Sequence, residues 1–159
     1  MIVEALALLS SDINVLYVQV GPQGEGATLE VAARRLGVEN RLHCMGVVSD
    51  PKLYLQAADV YLMPSSEEGF GVAAVEAMAC GLPAILSDVE ALCDFRENIP
   101  GIEYINPTPQ NIANAMTKFS QLPTLNRRTL GAEIADSTRK NYGLDRGAAG
   151  YLQLYQSVH

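Results

Sequence analysis

The sequence predicts an α/β domain whose parallel sheet carries helices on both faces, and three observations support that expectation. Five short runs suited to strands alternate with longer helical patterns, an order that favours parallel strands joined by crossovers. They are Val15–Val20, Arg41–Gly46, Val60–Met63, Pro83–Ser87 and Gly101–Ile105. Small residues stand where four of these runs end, at Gly21, Gly46, Ser65 and Ser87, so the carboxyl ends of the strands form the expected ligand crevice. Finally, 159 residues with 48% hydrophobic and 18% charged content suit one ordinary globular domain, residues 1–159.

Taken in order, Met1 to Leu9 places Ile2, Leu6 and Leu9 on one side and reads as a helix. Asp12 and Asn14 turn the chain into the first strand. Gly21-Pro-Gln-Gly-Glu-Gly26 then joins that strand to a helix from Ala27 to Leu36. This placement suits a phosphate loop, but the glycine spacing is not the dinucleotide fingerprint, and a plain strand-to-helix turn remains open. Gly37 closes the helix and the second strand follows, with His43 read as a strand residue. Asp50-Pro51 caps a helix reaching Ala57. After the third and fourth strands, Asp88 to Asn98 reads as a loop and short helix. Pro107 and Pro109 end the fifth strand, Gln110 to Phe119 is a helix, and Thr124 to Tyr142 is a longer, more polar one. The pattern is Rossmann-like.

Composition removes several classes of function. A net charge of −7 disfavours a nucleic-acid partner, since no basic stripe exists to neutralise phosphates. The three cysteines, Cys44, Cys80 and Cys93, lack ligand spacing, so neither a disulfide framework nor a metal site is expected. With two histidines, one of them the last residue, no hydrolytic triad is supported. No apolar run approaches a membrane span and the first segment lacks a basic leader, which predicts a cytoplasmic protein.

The chemistry concentrates in Pro64-Ser-Ser-Glu-Glu-Gly-Phe-Gly-Val72 and the helix after it, which Gly81 and Pro83 terminate. Val72, Ala73, Ala74, Val75, Ala77, Met78, Ala79 and Cys80 make that helix apolar on every side, as expected of one buried against a sheet. Glu76 is its only charge, and a carboxylate so placed needs a partner. Gly69 and Gly71 let the backbone approach a ligand closely, and the first helical N–H groups then form an anion site. Glu68 beside it can accept hydrogen bonds from hydroxyls. Phosphate between hydroxyl-bearing groups describes a nucleotide sugar.

This stretch resembles the donor-binding signature of retaining glycosyltransferases of the GT-B fold, especially family 4 (group 1), in which two glutamates are separated by seven residues, as Glu68 and Glu76 are. Pro64 to Gly71 and Glu76 to Pro83 match it almost throughout, and the resemblance covers nearly the whole chain. It implies the C-terminal, donor-binding domain of such an enzyme, taking a nucleoside diphosphate sugar as substrate, an unidentified acceptor and no cofactor or metal. Glu68 would be the catalytic-site carboxylate that contacts sugar hydroxyls. The amides of Phe70, Gly71 and Val72 would face the diphosphate, Glu76 would hold the ribose hydroxyls, and Gly21, His43 and Gly69 would lie beside the donor. The sequence departs from the pattern at Val89-Glu90-Ala91, where glycines are usual, and at Leu144, where tryptophan is common.

The same resemblance implies that the acceptor-binding domain is absent, as is a first strand bearing an arginine and a lysine that neutralise the phosphates. That strand would lie between Val15–Val20 and Val60–Met63. Its absence leaves either direct pairing of those strands or a gap to be filled from another chain. A transferase dependent on a partner, peripheral at the membrane through that partner or prone to self-association, is therefore expected. The competing readings are a nucleotide-sugar-binding or degenerate subunit with a regulatory role, and a nucleotide-sugar epimerase. Glu76→Gln should weaken nucleotide binding, and Gly71→Val should cost donor binding more than stability.

Overall fold

The computed structural model describes residues 1–22 and 28–157. Its elements follow the predicted order: α1 (Ile2–Leu8), β1 (Tyr17–Val20), α2 (Leu29–Leu36), β2 (Leu42–Gly46), α3 (Pro51–Ala57), β3 (Tyr61–Met63), α4 (Val72–Ala79) and β4 (Ala84–Ser87). Then come α5 (Glu90–Cys93), β5 (Ile102–Ile105), α6 (Pro109–Ser120), α7 (Thr124–Tyr142) and α8 (Leu144–Ser157). Of the glycine-rich loop read from the sequence, Gly24 and Gly26 lie outside the described residues, as does Ala27. Local chemistry explains the helix starts. Thr28 accepts from the Val31 amide to cap α2, Asp50 accepts from Lys52 ahead of Pro51, and Thr108 accepts from Asn111 ahead of Pro109. The loop and short helix expected over Asp88–Asn98 are found as α5, after which the chain continues from Cys93 in tight turns to Ile99.

All strand pairings are parallel, but they form two sheets, β1-β2 and β3-β4-β5. Strand alternation assigns each residue to one of two cores. Leu62, Ile85 and Ile105 face a cluster built with α1, α2 and α6, where Leu6, Ala33, Ile112, Met116 and Phe119 are buried. Tyr61, Met63, Ala84, Leu86, Ile102 and Tyr104 face the opposite cluster, built on Met78, Leu92, Phe95 and Ile134. The first core also receives Tyr17, Leu42 and Cys44, so it spans both sheets from one side. On the other side of β1 and β2, Val18, His43 and Met45 remain exposed. Arg41 at the head of β2 fastens this half to α1, donating from Nη1 to the carbonyls of Leu6 and Leu9, each at 3.2 Å, and from Nη2 to that of Ser10 at 2.9 Å. Those carbonyls belong to a helix C-terminus, where a cation is favoured.

Of the two outcomes expected for β1 and β3, the structure adopts the open gap. Among the described residues no strand lies between them. A cavity of about 870 Å3 runs along both edges, from Asn14 to Gly21 on one side and from Ala58 to Leu62 on the other. Behind β4 the C-terminal turn of α4 meets α7, where Gly81 and Gly131 lie back to back. A Cβ on Gly81 would stand 2.9 Å from the Gly131 carbonyl oxygen, and one on Gly131 would stand 2.6 Å from that of Gly81. No helix of the described residues is long and apolar enough to cross a membrane. The last helix, α8, buries none of its residues.

Candidate active site at the carboxyl ends of the strands

The strands deliver their carboxyl ends to one edge, as the sequence suggests. Gly21, with φ of 117°, donates its N–H to the Gly46 carbonyl at 2.8 Å and so extends the β1-β2 ladder by one step. In the other sheet, Ser87 is fully buried and its hydroxyl donates to the Met63 carbonyl at 3.4 Å, which ties the end of β4 to the start of the motif loop. The loop then runs from Pro64 to Gly71 and enters α4.

Within the loop, Glu68 is half-buried and its Oε1 accepts from the Gly69 amide at 3.1 Å. Tyr61, on β3, lies within the electrostatic reach of both glutamates. Burial pushes its phenol up to about 12, and the neighbouring Tyr17, Glu68 and Glu76 push it in the same direction. A neutral hydroxyl therefore persists beside two carboxylates across the ordinary pH range. Glu76 also lines the cavity beside β1 and β3, together with Ala73.

The burial expected of the motif helix is corrected. α4 buries Ala74, Ala77 and Met78, but Val72, Ala73 and Glu76 are exposed, with Val72 at 61%. This face is uncovered because the gap beside β3 lies next to it. Glu76 is consequently solvated, and its charge needs no buried partner. Desolvation therefore gives Glu76 no need of a ligand, although it stands on the lining of the cavity.

Gly71 serves a different purpose from the one expected. It is the N-cap of α4 with φ of 76°, it is buried, and a Cβ there would meet Leu92 Cδ2 at 2.6 Å. The glycine is needed for left-handed backbone and for packing on α5, so Gly71→Val would cost stability first. At Gly69, by contrast, a Cβ would meet nothing within 4 Å, so packing makes no demand for glycine there. Beyond the cap, the Gly71 carbonyl accepts from Ala74 and Val75. The N–H groups of Val72 and Ala73 precede that first intrahelical acceptor and, with the dipole behind them, remain suited to an anion.

Phe70 is half-exposed, but its ring packs edge-on to Phe95 with centroids 5.8 Å apart and lies 6.1 Å from Tyr142, while Phe95 and Tyr142 are 5.3 Å apart. This triangle anchors the loop to the end of α7, a role that sequence spacing could not show because the three residues are far apart in the chain. The sequence reading also missed the cation beside β4. Arg96 Nη2 pairs with Asp88 Oδ1 at 2.7 Å, and its guanidinium lies 4.2 Å from the Tyr104 ring centroid. Glu90 is exposed at the start of α5. His43 is not brought to this group. It pairs opposite Val18 in the middle of β2, exposed and away from the lining of the cavity.

The architecture has close counterparts. Anabaena HepE, solved in complex with UDP, superposes with a TM-score of 0.86 at 23% identity over 98% of this chain and 44% of its own. A sucrose-phosphate synthase from Thermosynechococcus elongatus superposes with a TM-score of 0.80 at 26% identity over 99% of this chain and 42% of its own. Among curated relatives, a D-inositol 3-phosphate glycosyltransferase of Streptomyces bingchenggensis is 33% identical over 148 residues, or 89% of this chain. The chain spans about a third of that relative's length, 32%. The family profile described as glycosyl transferases group 1 matches residues 1–134, which include both glutamates, the glycine-bounded helix start and all five strands. With that match extending over most of its length, the chain belongs to the group 1 glycosyl transferases.

Proposed function

We propose that this chain is the donor-binding half of a retaining glycosyltransferase, taking a nucleoside diphosphate sugar and passing the sugar to an acceptor bound elsewhere. The observation that carries the reading is the convergence of Glu68, Glu76 and the amino end of α4 at the carboxyl edge of the strands. In this reading the amides of Val72 and Ala73 receive the diphosphate and stabilise the charge that grows on it as the glycosidic bond breaks. Glu76 accepts from ribose hydroxyls. Glu68 turns from the Gly69 amide to the hydroxyls of the sugar and orients it. The UDP and UDP-glucose complexes of HepE make uridine diphosphate sugars the first substrates to test.

Calorimetric titration of the chain with UDP-glucose, UDP and GDP-mannose tests the reading directly. Saturable binding of one of them is expected, and Glu76→Gln should weaken it by about tenfold, the loss of one charge-assisted hydrogen bond. Absence of heat with each of the three would overturn the reading of a competent donor site. The open gap between β1 and β3 favours a second reading of the same fold, a subunit whose binding and transfer depend on a partner. That reading expects weak binding by the chain alone and stronger binding in its complex.

A further inference from the structure

We propose that Tyr142, the last residue of α7, is a positioning residue for the phosphates of the donor, acting through the ring of Phe70 on the amides that open α4. It touches neither donor nor reacting atoms itself. The loop between β3 and α4 needs such a support because main-chain bonding does not hold it: among the described residues, Pro64 to Phe70 make no backbone–backbone hydrogen bond. Two side-chain bonds lie near. The Ser87 hydroxyl donates to the Met63 carbonyl before the loop begins, and Glu68 accepts from the Gly69 amide within it. What joins the second half of the loop to the domain is packing, since Phe70 lies edge-on to Phe95 with centroids 5.8 Å apart and 6.1 Å from Tyr142. Gly71 follows against the same support. A Cβ on it would stand 2.6 Å from Leu92 Cδ2 and 3.5 Å from Phe95 Cε2.

Tyr142 can give that support because it is fixed from several directions. Its hydroxyl donates to the Asp94 carbonyl at 3.1 Å, the neighbouring Asn141 amide donates to the Asn98 carbonyl at 3.2 Å, and its ring meets Phe95 edge-on at 5.3 Å. α7 is also seated at the far end of the motif helix, where Gly131 lies against Gly81. One helix thus braces both ends of α4. A loop without this brace would be ordered only at the moment of binding, and the conformational entropy then lost would subtract from affinity. With the aromatic seat in place, phosphates meet amides already at fixed positions. The effect falls on the phosphates and spares the nucleoside, because Glu76 lies beyond the first turn of α4, between Ala74 and Met78, which the second core holds. This last step rests on the donor-site reading, whereas the ordering of the loop stands on packing alone.

The test has two arms, the first without nucleotide. NMR relaxation gives backbone order parameters for Gly69, Phe70 and Gly71 in the wild type, in Tyr142→Leu, and in Tyr142→Phe, which keeps the ring and loses only the bond to the Asp94 carbonyl. Values near about 0.85 are expected for the wild type and Tyr142→Phe, and below about 0.6 for Tyr142→Leu, with Ala84–Ser87 unchanged. Phe70→Leu, at the exposed end of the same contact, should show the same loss and decides the matter if Tyr142→Leu does not fold. A mobile wild-type loop, a rigid loop in the leucine variants, equal loss in Tyr142→Phe, or loss shared by Ala84–Ser87 overturns the positioning role. In the second arm the same chains are titrated by NMR with UDP and GDP and with their nucleosides, uridine and guanosine. For the diphosphate that the wild type binds, Tyr142→Leu should weaken affinity by about tenfold while its nucleoside stays within about twofold, and Tyr142→Phe should restore the wild-type value. Equal weakening of diphosphate and nucleoside, or an unaltered diphosphate affinity, overturns the inference. A wild-type chain that binds neither diphosphate overturns the donor-site reading instead, and the first arm still decides whether Tyr142 orders the loop.

Discussion

The β1-β2 half and the β3-β4-β5 half are built from similar strands but buried differently. In the second, both faces are covered, and Ala84, Ile85, Leu86 and Ser87 are all buried along one strand. In the first, only the face toward α1, α2 and α6 is covered, so Leu42 is buried while His43 and Met45 are exposed. Helical cover on both faces turns a sheet into a core, whereas cover on one face leaves a ledge. The Pro64–Gly71 loop and its helix belong to the well-covered half, and the missing contacts concentrate at the boundary.

The largest test of this contrast is Phe95→Ala. Phe95 is fully buried and holds both Phe70 and Tyr142, so its truncation should destabilise the domain by about 3–5 kcal/mol, whereas Met45→Ala in β2 should stay within about 0.5 kcal/mol. Urea denaturation of the two variants measures the difference; equal losses would erase the contrast. Next, Gly71→Val should cost about 2–4 kcal/mol, combining a left-handed backbone with overpacking against Leu92. A variant that keeps its urea midpoint but loses nucleotide affinity would return Gly71 to a ligand role.

Arg41→Met probes the tie between the halves. Removing three hydrogen bonds to the end of α1 should cost about 1–2 kcal/mol. In native-state hydrogen exchange it should speed opening of β1 and β2 more than of β4. Uniform acceleration of all strands would show that the two halves open as one.

The smallest effect is alkaline. Tyr17, Tyr61 and Tyr104 all have phenols raised to about 12, chiefly by burial. Each favours the neutral form in the folded state, so its contribution is complete below the unfolded value near 10 and fades as pH rises toward about 12. Stability should decline across that window. The decline should be shallower in the single variants Tyr17→Phe, Tyr61→Phe and Tyr104→Phe, and urea midpoints measured at several pH values would reveal it.

Much of this was legible because local and global preferences agree. The strands announce themselves through short apolar runs between turn residues, and the cap at Asp50 sits beside the proline that fixes it. The motif likewise placed Glu68 in the loop and Glu76 on the helix that follows it. What sequence could not show depends on which neighbours are present. The apolar Val72 and Ala73 read as core positions, yet the gap leaves them open, and with them Glu76. Gly71 reads as a ligand contact, and its left-handed cap conformation and the proximity of Leu92 are visible only in three dimensions. Phe70 joins an aromatic triangle whose members are scattered through the chain. His43 alternates outward from β2, onto a face that no helix of the described residues covers.

The paired glycines behind the motif helix have a consequence for how this domain can vary. Gly81 and Gly131 each occupy the space in which the other's side chain would stand. Most tight contacts can be relieved by a compensating reduction on the opposite side, but here both partners are already as small as an amino acid can be. A change at either position therefore has no local suppressor, and a double substitution should be worse than either alone. Restoration would have to come from moving α7 bodily away from α4, which would also withdraw Tyr142 from Phe70. The two glycines and the loop aromatic should thus be retained or lost together.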